Sequence, residues 1–178
     1  MKRIHKLNSI FAGLVLAGAV SIAQAADPGQ AYFSGFIGNS NVEVYDFDAG
    51  DTSFRIGGGY QVNENIAIEG YYIDYGDAED FGVTLDPTAI QLQGVAMLPL
   101  NPSVNLYGKL GLAFWDAEAC DQTDCVDDDG SDLVFGFGGS FDVSNQVSIL
   151  VEYEFTEIEF YGDDVDIDTI MAGVNIAF

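Results

Sequence analysis

The sequence predicts an all-β protein, an eight-stranded antiparallel up-and-down transmembrane β-barrel, and three observations carry that reading. The closing residues 169–178 alternate strictly: Ile170, Ala172, Val174, Ile176 and Phe178 fall on one side, and Met171, Gly173, Asn175 and Ala177 on the other. Period two marks a strand with one apolar face and one small or polar face. The same alternation recurs in segments of roughly the 9–11 residues that a tilted membrane strand needs. Short and long connections then alternate between those segments. A strand at the end of the chain is an exposed edge unless it is paired, and pairing it with the first strand closes a barrel.

Residues 1–25 read as a cleaved secretory signal. Lys2, Arg3 and Lys6 form a basic front, an apolar run extends from Ile10 to Ile22, and Ala23-Gln24-Ala25 supplies the small-x-small pattern a signal peptidase needs. The barrel domain is then 26–178. All 29 acidic residues lie at Asp27 or beyond, whereas the only bases past the signal are Arg55 and Lys109. Two bases against 29 acids give the exported part a formal charge of −27. Such a surface excludes nucleic acid as a partner, because phosphate contacts require Lys and Arg. No apolar run of about 18 residues survives past the signal, which excludes a transmembrane helix.

The expected strands lie near 31–39, 53–62, 65–75, 88–98, 104–115, 132–142, 147–158 and 168–178. Asn63-Glu64, Leu100-Asn101-Pro102-Ser103 and Val143-Ser144-Asn145-Gln146 are tight turns rich in turn-forming residues. Longer polar segments near 40–52, 76–87, 116–131 and 159–167 read as loops. Alternation of the two kinds places every long loop at one end and both termini at the other. That is the layout of an outer-membrane barrel with short periplasmic turns and longer external loops.

The faces of the strands indicate which side meets lipid. In the second strand Phe54, Ile56, Gly58, Tyr60 and Val62 oppose Ser53, Arg55, Gly57, Gly59 and Gln61. In the fifth, Leu106, Gly108, Leu110, Leu112 and Phe114 oppose Asn105, Tyr107, Lys109, Gly111 and Ala113. In the seventh, Ile149, Val151, Tyr153 and Phe155 oppose Ser148, Leu150, Glu152 and Glu154. The polar face lacks the dense Lys and Glu of a soluble surface and suits a narrow interior. The apolar face carries Tyr60, Phe141 and Phe178 near the short turns and Phe54, Phe114 and Phe155 near the loops, as interfacial girdles require. The first strand is ambiguous, since Tyr32, Phe33, Phe36 and Ile37 fall on both faces.

Three stretches, Ile56-Gly57-Gly58-Gly59-Tyr60-Gln61, Ile66 to Gly76, and Tyr107 to Asp116, resemble the OmpA-like eight-stranded outer-membrane barrels. The terminal Phe178, with Val174 and Ile176 at alternate positions before it, resembles the signal that barrel-assembly machinery reads in that group. The resemblance spans about 31–178 and implies a barrel in the outer membrane of a Gram-negative bacterium. It does not extend to the periplasmic peptidoglycan-binding domain of OmpA itself. Small barrels of this kind include adhesins, structural proteins and narrow pores, so the resemblance implies a location more than a role.

Candidate functional residues fall into three groups. Arg55, Glu69, Lys109, Glu152 and Glu154 are charged and sit on the inward face. They are expected either as a fixed ion-pair plug or as a gate whose pairs exchange, and eight strands leave an interior that side chains can fill. Cys120 and Cys125, close together in an exported segment, point to a disulfide. The segment from Asp116 to Asp132 holds eight acids and no base, and Asp163, Asp164, Asp166 and Asp168 follow in the fourth loop. Asp127, Asp128 and Asp129 are weak metal candidates, because the run fails the calcium-loop pattern where Gly136 replaces the closing Glu. Looser divalent cations bridging to lipopolysaccharide are the alternative. With His5 in the signal, no histidine base remains for the expected outer-membrane hydrolases, and no cofactor site is recognised. Two functions stay open: a structural and surface-interaction barrel working through acidic external loops, and a narrow, gated, cation-favouring channel.

Overall fold

The computed structural model describes residues 29–44, 47–80, 83–120, 125–160 and 163–178. The expected signal segment and two of the counted acids, Asp121 and Asp124, lie outside the described residues. Nine strand segments follow one another: β1 Ala31–Val44, β2 Phe47–Asn63, β3 Ile66–Asp74, β4 Ala78–Asp80, β5 Val83–Asn101, β6 Val104–Cys120, β7 Cys125–Asp142, β8 Val147–Phe160 and β9 Asp163–Ala177. Their order is β3-β2-β1-β9-β8-β7-β6-β5-β4, and β3 also pairs with β5. The sheet therefore closes on itself as an eight-stranded antiparallel barrel. β3 and β4 both pair with β5 and form one barrel strand broken at Gly76. There φ is +83°, a conformation glycine adopts without steric cost, and an added Cβ would lie 2.6 Å from the Thr52 carbonyl oxygen.

Closure joins the two ends of the chain. β1 and β9 pair antiparallel from Tyr32–Ala177 to Glu43–Asp166, and the Phe178 N–H donates to the Ala31 carbonyl at 3.0 Å. Among the described residues every strand except the three-residue β4 is paired on both sides, as a sheet in hydrocarbon requires. The apolar faces point outward as expected, with Ile37, Ile90, Leu110, Leu133 and Phe137 all exposed. β1 is resolved by its neighbours: Tyr32 and Phe36 are buried, Phe33 and Ile37 exposed. Room for Phe36 comes from Gly173 across the β1–β9 pair, where a Cβ would stand 2.3 Å from the ring.

The structure corrects the expected long loops. Val44 pairs with Phe47, Cys120 with Cys125, and Phe160 with Asp163, so the segments near 40–52, 116–131 and 159–167 are mostly β-ladder. The physical reason is alternation hidden beneath charge. Val42, Trp115, Ala117, Ile158, Val165 and Ile167 turn inward and are buried at every second position. Asp116, Glu118, Asp166 and Asp168 occupy alternates between them on the outward side. Carboxylate density mimics a loop, yet the apolar half of the pattern closes the ladder.

Candidate functional site

The middle of the lumen is crossed by a chain of alternating charges. Glu69 on β3, Lys109 on β6, Glu152 on β8, Arg55 on β2 and Glu154 on β8 meet in that order. Lys109 Nζ lies 3.0 Å from Glu69 and 2.8 Å from Glu152. Arg55 bonds Glu152 through one terminal nitrogen and Glu154 through the other, the latter at 2.7 Å. All five side chains are almost fully buried. Each comes from an inward position of its strand, so the barrel closure gathers residues up to 99 positions apart in sequence.

Neutral groups complete the network. Tyr32 donates to Glu69 at 2.7 Å and Tyr107 to Glu152 at 3.0 Å. Gln91 and Gln93 donate to Glu154 at 2.6 and 3.2 Å, and Gln91 also donates to the Tyr75 hydroxyl. The Arg55 guanidinium is held between the rings of Phe36 and Tyr71, 4.3 and 4.5 Å from their centroids. Such cation–π contacts strengthen when desolvated. The sequence alone does not single out Tyr32, Phe36, Tyr71, Tyr107, Gln91 and Gln93 as site residues. The available signal was an inward parity shared with the charges, together with glycines opposite the rings. A Cβ on Gly59 would stand 2.5 Å from Tyr32, and one on Gly138 2.6 Å from Tyr107.

Above the ion pairs, towards the long hairpins, the interior turns apolar. Ile73, Trp115, Ala117, Val134, Ile158 and Ile167 are buried there, and the Trp115 indole N–H donates to Asp132 at 2.6 Å. Below them, at the short-turn end, a cup of about 60 Å³ reaches the β7–β8 turn and is lined by Glu69, Asn105, Asp142, Ser148 and Asn175. A charged level, an apolar level and a polar cup thus succeed one another along the lumen.

Outside, the upper hairpins expose carboxylates in cross-strand register. Asp86, Glu118 and Asp127 form one row over β5, β6 and β7; Asp74, Thr88, Asp116 and Asp129 form the next over β3, β5, β6 and β7. Like charges directly opposite repel. The Asp86 carboxyl is accordingly raised above its ordinary value, first by desolvation and then by Asp77, Asp74, Glu118 and Asp116. The Cys120–Cys125 disulfide is present and caps this ladder on the same face. Asp127 and Asp129 share that face while Asp128 alternates to the other, so the strand splits the three metal candidates. Among the described residues the one group of three metal-type ligands is Glu118 with the two cysteines, whose sulfurs are bonded to each other. Val174, Ile176 and Phe178 project from the outward face, Phe178 with 74% of its surface exposed.

Residues 10–178 match the outer membrane protein beta-barrel domain family. The chain is 25% identical over 169 residues to outer membrane protein A of Escherichia coli O157:H7, which covers 85% of this chain and 47% of that protein. It thus spans about half the length of the curated relatives it matches. Neisserial surface protein A (NspA) has the same fold with a TM-score of 0.75 at 18% identity, over 83% of this chain and 97% of that one. Ail, the attachment invasion locus protein of Yersinia pestis, gives 0.64 at 21% identity, over 85% and 99%. Ail is also known in complex with the heparin analogue sucrose octasulfate, a structure that gives 0.61 at 20% identity over 85% and 99%. With a closed eight-stranded barrel, an apolar outer belt and a match over nearly its whole length, the chain belongs to the outer membrane protein beta-barrel domain family and is a protein of the Gram-negative outer membrane.

Proposed function

We propose that this protein is a plugged scaffold barrel whose acidic external hairpins are its interaction surface, and that it is not an enzyme. One observation carries the reading: both bases among the described residues, Arg55 and Lys109, are consumed inside the lumen. The barrel is thereby sealed, and the surface is left with carboxylates alone to attract partners. A polyanion such as the heparin analogue bound to Ail finds no counter-charge on these hairpins. The partners that fit are cationic: divalent ions bridging to lipopolysaccharide phosphates, or basic segments of another protein. Export through residues 1–25 and recognition of Val174, Ile176 and Phe178 by barrel-assembly machinery belong to the same proposal.

The experiment compares the refolded barrel with a variant carrying Asp116→Asn, Glu118→Gln, Asp127→Asn and Asp129→Asn. Adsorption to lipopolysaccharide monolayers is measured with and without Mg²⁺, and adsorption to polylysine surfaces without it. Loss of both attractions in the variant supports the proposal; equal adsorption by the two proteins overturns it. The gated-channel reading keeps one observation in its favour, the near-equal distances of Lys109 to Glu69 and Glu152. Planar-bilayer recordings separate the two functions. The scaffold reading expects silence from the native barrel and from Lys109→Ala, whereas openings altered by Lys109→Ala would establish the channel.

A further inference from the structure

At the short-turn end of the lumen one carboxylate has no cationic partner. Asp142 is only 7% exposed, yet the two bases among the described residues are bound to Glu69, Glu152 and Glu154. Three carboxylates against two bases already leave the network one negative charge in excess, and Asp142 makes the excess two. Its hydrogen bonds are neutral: Ser148 donates at 2.6 Å and Asn105 at 3.4 Å. A buried anion without a counter-charge is costly.

The surroundings of Asp142 are rich in oxygen. Asp142 on β7, Ser148 on β8 and Asn175 on β9 are successive partners in one cross-strand row, all lining the cup. The Asn175 Oδ1 is buried and has no hydrogen-bond partner among the described residues. Ser140 adds a hydroxyl that accepts from Asn105 at 3.2 Å. Glu69 lines the upper part of the cup, where one of its oxygens accepts from Tyr32. The volume of about 60 Å³ is that of roughly two waters, enough for one small ion keeping part of its hydration.

We propose that this cup is a divalent-cation site, open towards the periplasm, in which Asp142 is the direct ligand and the unpartnered Asn175 Oδ1 becomes a second ligand when its amide turns into the cup. The donor set is all oxygen with a single carboxylate, which suits a hard ion of the Mg²⁺ kind that retains water and needs few protein ligands. Its charge would offset the excess of two. The site is separate from the external hairpins, and it holds whether or not those hairpins bind partners.

The test uses Mn²⁺ as a paramagnetic stand-in, added to the ¹⁵N-labelled barrel in phosphatidylcholine nanodiscs. Amide signals near Ser140, Asp142, Ser148 and Asn175 should broaden at substoichiometric metal and recover when Mg²⁺ is added in excess. Asp142→Asn should weaken that broadening by about tenfold or more, a loss of about 1.4 kcal/mol or more, while broadening at the external hairpins stays unchanged. Asn175→Ala, which keeps the charge, should weaken it less, and heat-dependent gel mobility confirms that each variant is folded. Broadening confined to the external hairpins would overturn the proposal. So would cup broadening that survives in both variants.

Discussion

Replacing Arg55 by Met tests whether the lumen is held by its ion pairs. Met keeps most of the volume between Phe36 and Tyr71 but removes the charge from both Glu152 and Glu154. The two carboxylates do not suffer equally. Glu152 keeps Lys109 at 2.8 Å and Tyr107 at 3.0 Å, whereas Glu154 keeps only the amides of Gln91 and Gln93. Breaking one side of a buried pair costs about 3–5 kcal/mol, because it strands a charge. Arg55→Met is expected to fall in that range, with the cost centred on Glu154. Adding Glu154→Gln should recover part of it, giving a coupling of about 2 kcal/mol in the double-mutant cycle. Adding Glu152→Gln should recover less, since it strands Lys109 beside Glu69 alone. Urea unfolding in lipid vesicles, followed by gel mobility and by the fluorescence of the single tryptophan, Trp115, measures all three. A loss below about 1 kcal/mol, or additive effects for Arg55 and Glu154, would refute the account of the plug.

Three further outcomes follow from named contacts. Gly138→Ala places a methyl 2.5 Å from the Val151 carbonyl oxygen and 2.6 Å from the Tyr107 ring; crowding of the strand pair and of the hydroxyl that bonds Glu152 should lower stability by about 1–3 kcal/mol in the same assay. Reducing Cys120–Cys125 removes a five-residue cross-link worth roughly 2 kcal/mol locally. Hydrogen exchange should quicken at the upper ends of β6 and β7 while the urea midpoint of the barrel stays put. The raised Asp86 carboxyl binds its proton more tightly folded than unfolded, so the external hairpins gain stability as pH falls from neutral through its folded value and lose it as pH rises above that value. Exchange in the upper part of β5 and β6, corrected for intrinsic rates, should therefore slow as pH is lowered from neutral, and Asp86→Asn should flatten the trend.

Much of this architecture was legible because a period-two pattern needs no partner to be recognised. The faces of β2, β6 and β8, the tight turns, and the inward placement of Arg55, Glu69, Lys109, Glu152 and Glu154 all follow from parity. What parity cannot supply is register. That Arg55 meets residues 97 and 99 positions away depends on how β2, β1, β9 and β8 slide past one another. The neutral half of the network is hidden from the sequence for a related reason, since Gln91, Gln93 and Tyr107 are unremarkable as types and gain a role only opposite a carboxylate. The hairpins above the membrane read as loops in the sequence because aspartate is disfavoured in strands. Burial of Val42, Trp115 and Ile158 outweighs that preference.

A single strand shows how the chain marks the level of the membrane. Along the lower part of β6 the inward residues are Asn105, Tyr107 and Lys109 and the outward ones Leu106, Leu110, Leu112 and Phe114. Higher up the pattern inverts: Ala113, Trp115 and Ala117 point inward, Asp116 and Glu118 outward. Inversion is required because the two halves meet different solvents. In hydrocarbon an apolar residue gains little by facing inward, so only polar groups distinguish the faces, and a one-residue slip would turn Lys109 into lipid. In water the hydrophobic effect distinguishes them, and the acids keep the outside wet. The boundary then lies between Phe114 and Asp116, which makes a position-dependent prediction. Leu110→Arg, below it on the outward face midway between Leu106 and Phe114, should destabilise the barrel by about 2–4 kcal/mol in vesicles. Glu118→Arg, above it, should cost nothing and should relieve repulsion with Asp86 and Asp127 in its row. Equal effects at the two positions would remove the boundary, and with it the argument that the lumen charges specify which face of each strand turns inward.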